Sequence, residues 1–98
     1  MEIRFANDGL ALIETDQAHK TRLPPNVIVS ARRKLQFVRS ATDERDLRNW
    51  KSLHYEKLTG DRVDQKSIRI NDRWRLVFLL DRDANPNIIT VLAIEDYH

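Results

Sequence analysis

Cysteine is absent from the 98 residues, so neither a disulfide framework nor a thiolate metal cage is possible, and the chain suits a reducing compartment. Only two glycines are present, and neither sits in a Gly-rich loop that could cradle a phosphate. No apolar run approaches the roughly 18 residues that a membrane helix needs. The opening MEIRFANDG likewise lacks the basic-then-apolar pattern of a secretory signal. These absences lead to the expectation of a soluble, cytoplasmic protein with no membrane contact. At this length the chain holds one modest core, so residues 1–98 are expected to form a single domain.

A more local absence is informative. The net charge is only +2, yet residues 17–42 contain no Asp or Glu while carrying Lys20, Arg22, Arg32, Arg33, Lys34 and Arg39. Such a segment fits a polyanion or an acidic partner. It equally fits a helix surface that carries cations for solubility.

The periodicity predicts the elements. Glu2-Ile3-Arg4-Phe5-Ala6 alternates as a half-buried strand does, and Asn7-Asp8 offers an N-cap for a short helix. Pro24-Pro25 starts a second helix, where a missing N–H goes unnoticed, with an apolar stripe of Ile28, Ala31, Leu35 and Val38. Thr42-Asp43-Glu44 caps a short third helix through about Leu47. Trp50 to Leu58 has no clean period and reads as an irregular connection carrying His54 and Lys57, punctuated by Thr59-Gly60-Asp61.

Strands follow. Ser67 to Ile70 and Trp74 to Leu80 form a hairpin around Asn71-Asp72, whose register decides where the arginines point. A two-residue loop puts Ile68 and Ile70 with Arg73 and Arg75. A three-residue loop, Asn71 to Arg73, aligns them with Trp74, Leu76 and Phe78 and leaves Arg69 with Arg75 on the opposite face. The second sorts apolar groups from cations and is preferred. Ile88 to Ile94 is apolar on both faces, predicting a strand inside the sheet that delivers Asp96, Tyr97 and His98 to one end of it.

The candidate chemistry lies in His54, Lys57, Arg75 and Asp96-Tyr97-His98. Cleavage of RNA by its own 2′-hydroxyl needs a base, an acid for the 5′-oxygen, and cations for the charge growing on the phosphorane. Histidine serves as acid or base near neutral pH, and Arg and Lys supply the cations. That reaction needs no metal, and the spacing of His54, Asp96 and His98 matches none of the usual metal-ligand patterns. The bland alternatives are a solvated terminal histidine and an Arg75–Asp96 ion pair.

Three stretches, LHYEKLTGDR from Leu53, SIRINDRWRLVF from Ser67 and the closing DYH, resemble the HigB-like toxins of the RelE/ParE superfamily, the toxin halves of type II toxin–antitoxin modules. The resemblance runs in order along the chain and is specific mainly in its second half. It implies an α+β fold in which two or three helices from the N-terminal half pack on a small, mostly antiparallel sheet. The element order is then strand, two or three helices, three strands. It also implies a ribosome-dependent endoribonuclease that cuts messenger RNA in the ribosomal A site and so inhibits translation.

Carried over by position, His98 becomes the proton-transfer residue, Asp96 its orienting partner and Arg75 the phosphorane contact, with His54 and Lys57 for acid help or phosphate grip. Tyr97 stacks on or orients substrate, while Arg62 and Arg69 hold RNA backbone or pair structurally. Arg32, Arg33, Lys34 and Arg39 meet ribosomal RNA. The implied partners are the ribosome with its messenger RNA and a helix-turn-helix, HigA-like antitoxin. No cofactor is implied, and the toxin itself reads no DNA. The rival is a ParE-like toxin that poisons DNA gyrase, since fold alone does not choose between them. Asp81 to Asn87 is longer than a minimal turn and departs from the family pattern.

Overall fold

The computed structural model describes residues 1–96. Strand β1 (Glu2–Phe5) leads into α1 (Asp8–Ala11), long helix α2 (Pro25–Ser40) and α3 (Glu44–Asn49). Strands β2 (Glu56–Lys57), β3 (Lys66–Arg69), β4 (Trp74–Asp81) and β5 (Ile88–Asp96) follow, in a sheet ordered β1-β5-β4-β3-β2. Among the described residues only the β1–β5 pairing is parallel.

The helix starts lie where the caps predicted. The Asn7 side chain accepts from the Leu10 N–H at 2.8 Å, Pro25 occupies the first turn of α2, and the Asp43 side chain accepts from the Arg45 N–H at 2.9 Å. At the other end of α2, the Met1 ammonium donates to the carbonyls of Arg39 at 3.0 Å and Ala41 at 2.6 Å, satisfying acceptors that a helix terminus leaves open. The buried stripe of α2 is Val27, Ala31, Leu35 and Val38. Val27 is fully buried where Ile28 was expected, and Ile28 packs at the rim of the core.

That stripe lies on one face of the sheet, against Ile68, Leu76, Phe78, Ile89 and Val91, with Ile3 and Phe5 beside them. Strand alternation explains the set until Val91, which has the wrong parity relative to Ile94. The register supplies the reason: Val77 pairs with Ala93 but Phe78 pairs with Val91, so Leu92 is an extra residue that shifts the phase. The unalternating apolar run therefore reflects both an interior strand and a bulge. The hairpin takes the three-residue loop, with Ile68 opposite Leu76 and Arg69 opposite Arg75.

One short strand was not foreseen. The segment after His54 adds β2 to the sheet edge, with Glu56 opposite Ser67 and Lys57 opposite Lys66, where an irregular connection was expected. Two residues are too few to show a period, and the pairing partner is what makes them a strand.

The Asp81 to Asn87 departure also has a structural result. Arg82 in this turn reaches Glu44 at 3.3 Å, and Arg48 reaches the same carboxylate at 3.3 Å. The Tyr55 hydroxyl donates to Glu44 as well. Glu44 is buried. Burial alone raises its carboxyl, but the Tyr55 hydroxyl and the arginines outweigh that and hold it below its ordinary value of 4.5.

Two predictions follow from this packing. Leu35→Ala, at a fully buried position, is expected to cost about 3 kcal/mol, read as a lower urea midpoint at unchanged slope. Because the folded Glu44 value is depressed, its contribution is complete above 4.5 and fades as pH falls toward the lowered folded value. Glu44→Gln is therefore expected to destabilise at neutral pH and to flatten the acid side of the stability profile, measured by urea unfolding from about pH 7 to pH 3.

Candidate active site

Opposed residues in a ladder share a face, so the registers sort the side chains of β2 to β5. The face away from α2 carries Glu56, Ser67, Arg69, Arg75 and Glu95. Arg75 is at its centre and only 7% exposed. Its Nε donates to Ser67 Oγ at 2.9 Å, its Nη2 donates to the His54 carbonyl, and Glu56 Oε1 lies 3.9 Å away.

His54 closes a short helical turn, Lys51–Leu53, with φ 45° and ψ 54°. This left-handed conformation is unfavourable for a residue with a Cβ. Leu53 anchors one side of it in the core, and the carbonyl bond to Arg75 holds it from the sheet. The imidazole Nε2 lies 3.0 Å from Arg69 Nη1. A guanidinium only donates, so this contact requires Nε2 to accept and the proton of a neutral ring to sit on Nδ1.

The surrounding cations are matched by acids. Arg69 also donates to Asp72 at 3.0 Å, and Arg62 makes two bonds to Glu95, at 2.7 and 3.2 Å. These contacts allow Arg69, placed opposite a second arginine, to avoid an uncompensated like-charge pair.

The structure thus brings together His54, Arg62, Arg69 and Arg75. It separates two other candidates from them. Lys57 is exposed and, by alternation from Glu56, projects from the opposite face, so strand β2 offers the site a carboxylate where a cation was expected. Asp96 is opposite Trp74 and not Arg75; Arg73 donates to it at 3.3 Å, and the ladder partner of Arg75 is Glu95. Tyr97 and His98 lie outside the described residues.

Sequence reasoning missed Glu56, Ser67 and Glu95. The hairpin register already implied that Ser67 shares the face of Arg69 and Arg75, so Ser67 was within reach of the alternation argument. Glu56 was hidden by the unforeseen strand, and Glu95 by the one-residue question of which end residue faces Arg75. Among the described residues, no three His, Asp or Glu side chains gather closely enough to hold a metal ion.

The basic segment divides as well. Arg32 donates to the carbonyls of Ile13 at 2.6 Å and Thr15 at 2.7 Å, fastening α2 to the preceding turn. Arg39 makes a two-pronged pair with Glu14, whose hydrogen bond raises the arginine's pKa further. Arg33 is exposed and Lys34 half-buried, and neither forms an ion pair among the described residues.

Backbone and side chain can be separated at His54. Both His54→Gly and His54→Ala lose the imidazole, but glycine alone tolerates φ 45°. His54→Gly is expected to be more stable than His54→Ala by about 1 kcal/mol in urea unfolding. Equal stability would mean that the left-handed turn is not retained in solution.

Among proteins of curated function, none matches the sequence. Solved structures match its fold over 100% of the chain. A YoeB/ParE toxin from Agrobacterium tumefaciens superposes with a TM-score of 0.61 at 14% identity, over 100% of that chain. The YoeB dimer from Staphylococcus aureus gives 0.56 at 19%, and the YoeB–YefM complex from the same organism 0.56 at 18%, each over 97% of that chain. No helix of the described residues is long and apolar enough to cross a membrane. The model of the RelE-like HigB toxins of type II toxin–antitoxin systems matches residues 3–98, and the chain belongs to this HigB-like toxin family.

Proposed function

We propose that this toxin is a ribosome-dependent endoribonuclease that cuts messenger RNA in the A site by attack of a 2′-hydroxyl on the adjacent phosphate. One observation carries the reading: an imidazole, a half-exposed carboxylate and three guanidiniums, those of Arg62, Arg69 and Arg75, share one sheet face. These are the groups that a base, an acid and phosphorane stabilisation require, and no cofactor enters.

Within this reading His98 transfers a proton, with Asp96 orienting it, and Tyr97 stacks on the substrate. His54 and Glu56 are the other proton-transfer groups. Arg75 fixes the His54 backbone and presents positive charge from below the site. Arg62 and Arg69 grip phosphates by exchanging their carboxylate partners for substrate. Lys57 reaches RNA from the rim of strand β2. Arg33 and Lys34 meet ribosomal RNA, while Arg32 and Arg39 hold the helix that displays them. The cognate antitoxin is a helix-turn-helix protein of the HigA kind, and the complex represses their shared promoter.

The test is cleavage of a defined messenger RNA in a reconstituted translation system, mapped by primer extension with and without ribosomes. Cuts at A-site codons are expected only with ribosomes present. His98→Ala, His54→Ala and Glu56→Gln are each expected to slow them by about 10²-fold or more. Arg75→Ala is a poor probe because it also leaves the His54 carbonyl and Ser67 without their donor. A folded protein that arrests growth yet cuts nothing under either condition would redirect attention to DNA gyrase.

A further inference from the structure

We infer that Glu44 and Tyr55 form a partly buried latch that fixes His54 from the far side of the sheet, making both of them positioning residues for its imidazole. The inference deepens the nuclease reading and rests on His54 belonging to that site.

The latch is built from groups that never face the site. Tyr55 packs near Phe78, with ring centroids 6.3 Å apart, and Phe78 belongs to the α2 side of the sheet. Its hydroxyl donates to Glu44 at the start of α3. The Glu44 carboxylate also holds Arg48 of the same helix and Arg82 of the β4–β5 turn, and the Arg48 guanidinium lies 5.8 Å from the Tyr55 ring centre. One carboxylate thus joins a helix, a turn and the residue next to His54.

A buried carboxylate with no role in folding the segments around it would be a poor choice, since burial disfavours the charged form. The sequence keeps it and surrounds it with donors. Burial, and then the bond to Glu44, raise the Tyr55 phenol, so it stays a donor throughout the physiological range.

The geometry explains why His54 needs such a hold. The chain crosses the sheet plane here: His54 contacts Arg69 on one face, while Tyr55 points to Glu44 on the other. His54 itself adopts φ 45°, from which a residue with a Cβ relaxes unless its surroundings prevent it. Leu53 in the core and the Arg75 bond to the His54 carbonyl constrain two sides. The Tyr55 hydroxyl constrains the third, and without it the imidazole no longer has a fixed approach to Arg69.

Tyr55→Phe tests this by removing one oxygen while keeping the ring. In the folded variant, the Cε1–H and Cδ2–H NMR resonances of His54 are expected to move while those of the distant His19 do not. Cleavage at saturating toxin is expected to slow about tenfold at an unchanged half-saturating concentration. Glu44→Gln retains an acceptor for the Tyr55 hydroxyl and is expected to keep more activity than Glu44→Ala. Folded Tyr55→Phe with unmoved His54 resonances and an unchanged rate overturns the latch.

The two readings fail separately. If wild-type protein cuts no RNA, the nuclease reading falls and the His54 resonances alone decide the latch. Should Tyr55→Phe not fold, Arg82→Gln loosens the same carboxylate from an exposed turn. Moved His54 resonances in that variant support the latch, and unmoved ones overturn it.

Discussion

The guanidinium of Arg75 is the constraint on which the site depends. Taking a charge of this kind out of water costs several kcal/mol per ion even after relaxation, and Arg75 is 7% exposed. It is tolerated because its donors meet Ser67 Oγ and the His54 carbonyl, with Glu56 at 3.9 Å. Those partners come from β3, from the connection before β2 and from β2 itself. One side chain on β4 therefore sets how three other segments lie, and it does so only in one hairpin register. A slip of one residue would turn Arg75 to the apolar face beside Ile68 and Ile70, away from Ser67 and Glu56.

That register was legible because it is a sorting problem with few solutions: the large apolar groups and the arginines of the hairpin separate cleanly under one loop length only. Helix starts were legible for a similar local reason, since Asn7, Pro25 and Asp43 act within a turn of themselves. The interior position of β5 followed from its apolar faces, although the bulge at Leu92 did not. What stayed hidden is non-local. Glu56 and Lys57 have no pattern of their own and become a strand through Ser67 and Lys66. Arg32 and Arg39 look like display charges on a helix, yet bond to residues 17 to 25 positions earlier. The Glu44 hub joins residues 11 and 38 positions apart, and no local signal marks it.

A division of labour across the sheet follows from these contacts. The face toward α2 is largely apolar and accounts for the core, with Lys57, Lys66 and Asp96 at its edges, while the other face carries charge and is shaped by hydrogen bonds. His54 and Tyr55 are adjacent in sequence but serve opposite faces. Stability and site geometry are therefore coupled at this step of the backbone, whereas elsewhere the pleat keeps them apart. His54 stands at φ 45°, where glycine would relieve the backbone but carry no imidazole.

The paired cations have a consequence for how an anion would enter. Arg69–Asp72 and Arg73–Asp96 each include a strongly exposed member, Asp72 at 94% and Arg73 at 68% of the side chain. Exposed pairs of this kind contribute about 0–1 kcal/mol, so on the nuclease reading a phosphate would replace the carboxylate at little cost. Arg62–Glu95 makes two bonds and is about 40% exposed on both sides, which makes the exchange harder and more demanding of geometry. Arg75 is different in kind, at 8% side-chain exposure, because leaving its acceptors would strand a buried charge. The guanidiniums thus form a graded set, with exposed pairs at the rim and a buried, fixed one beneath. Electrostatic stabilisation of a transition state depends on donors that do not reorganise as the charge develops, and of these arginines Arg75 alone is held in that way.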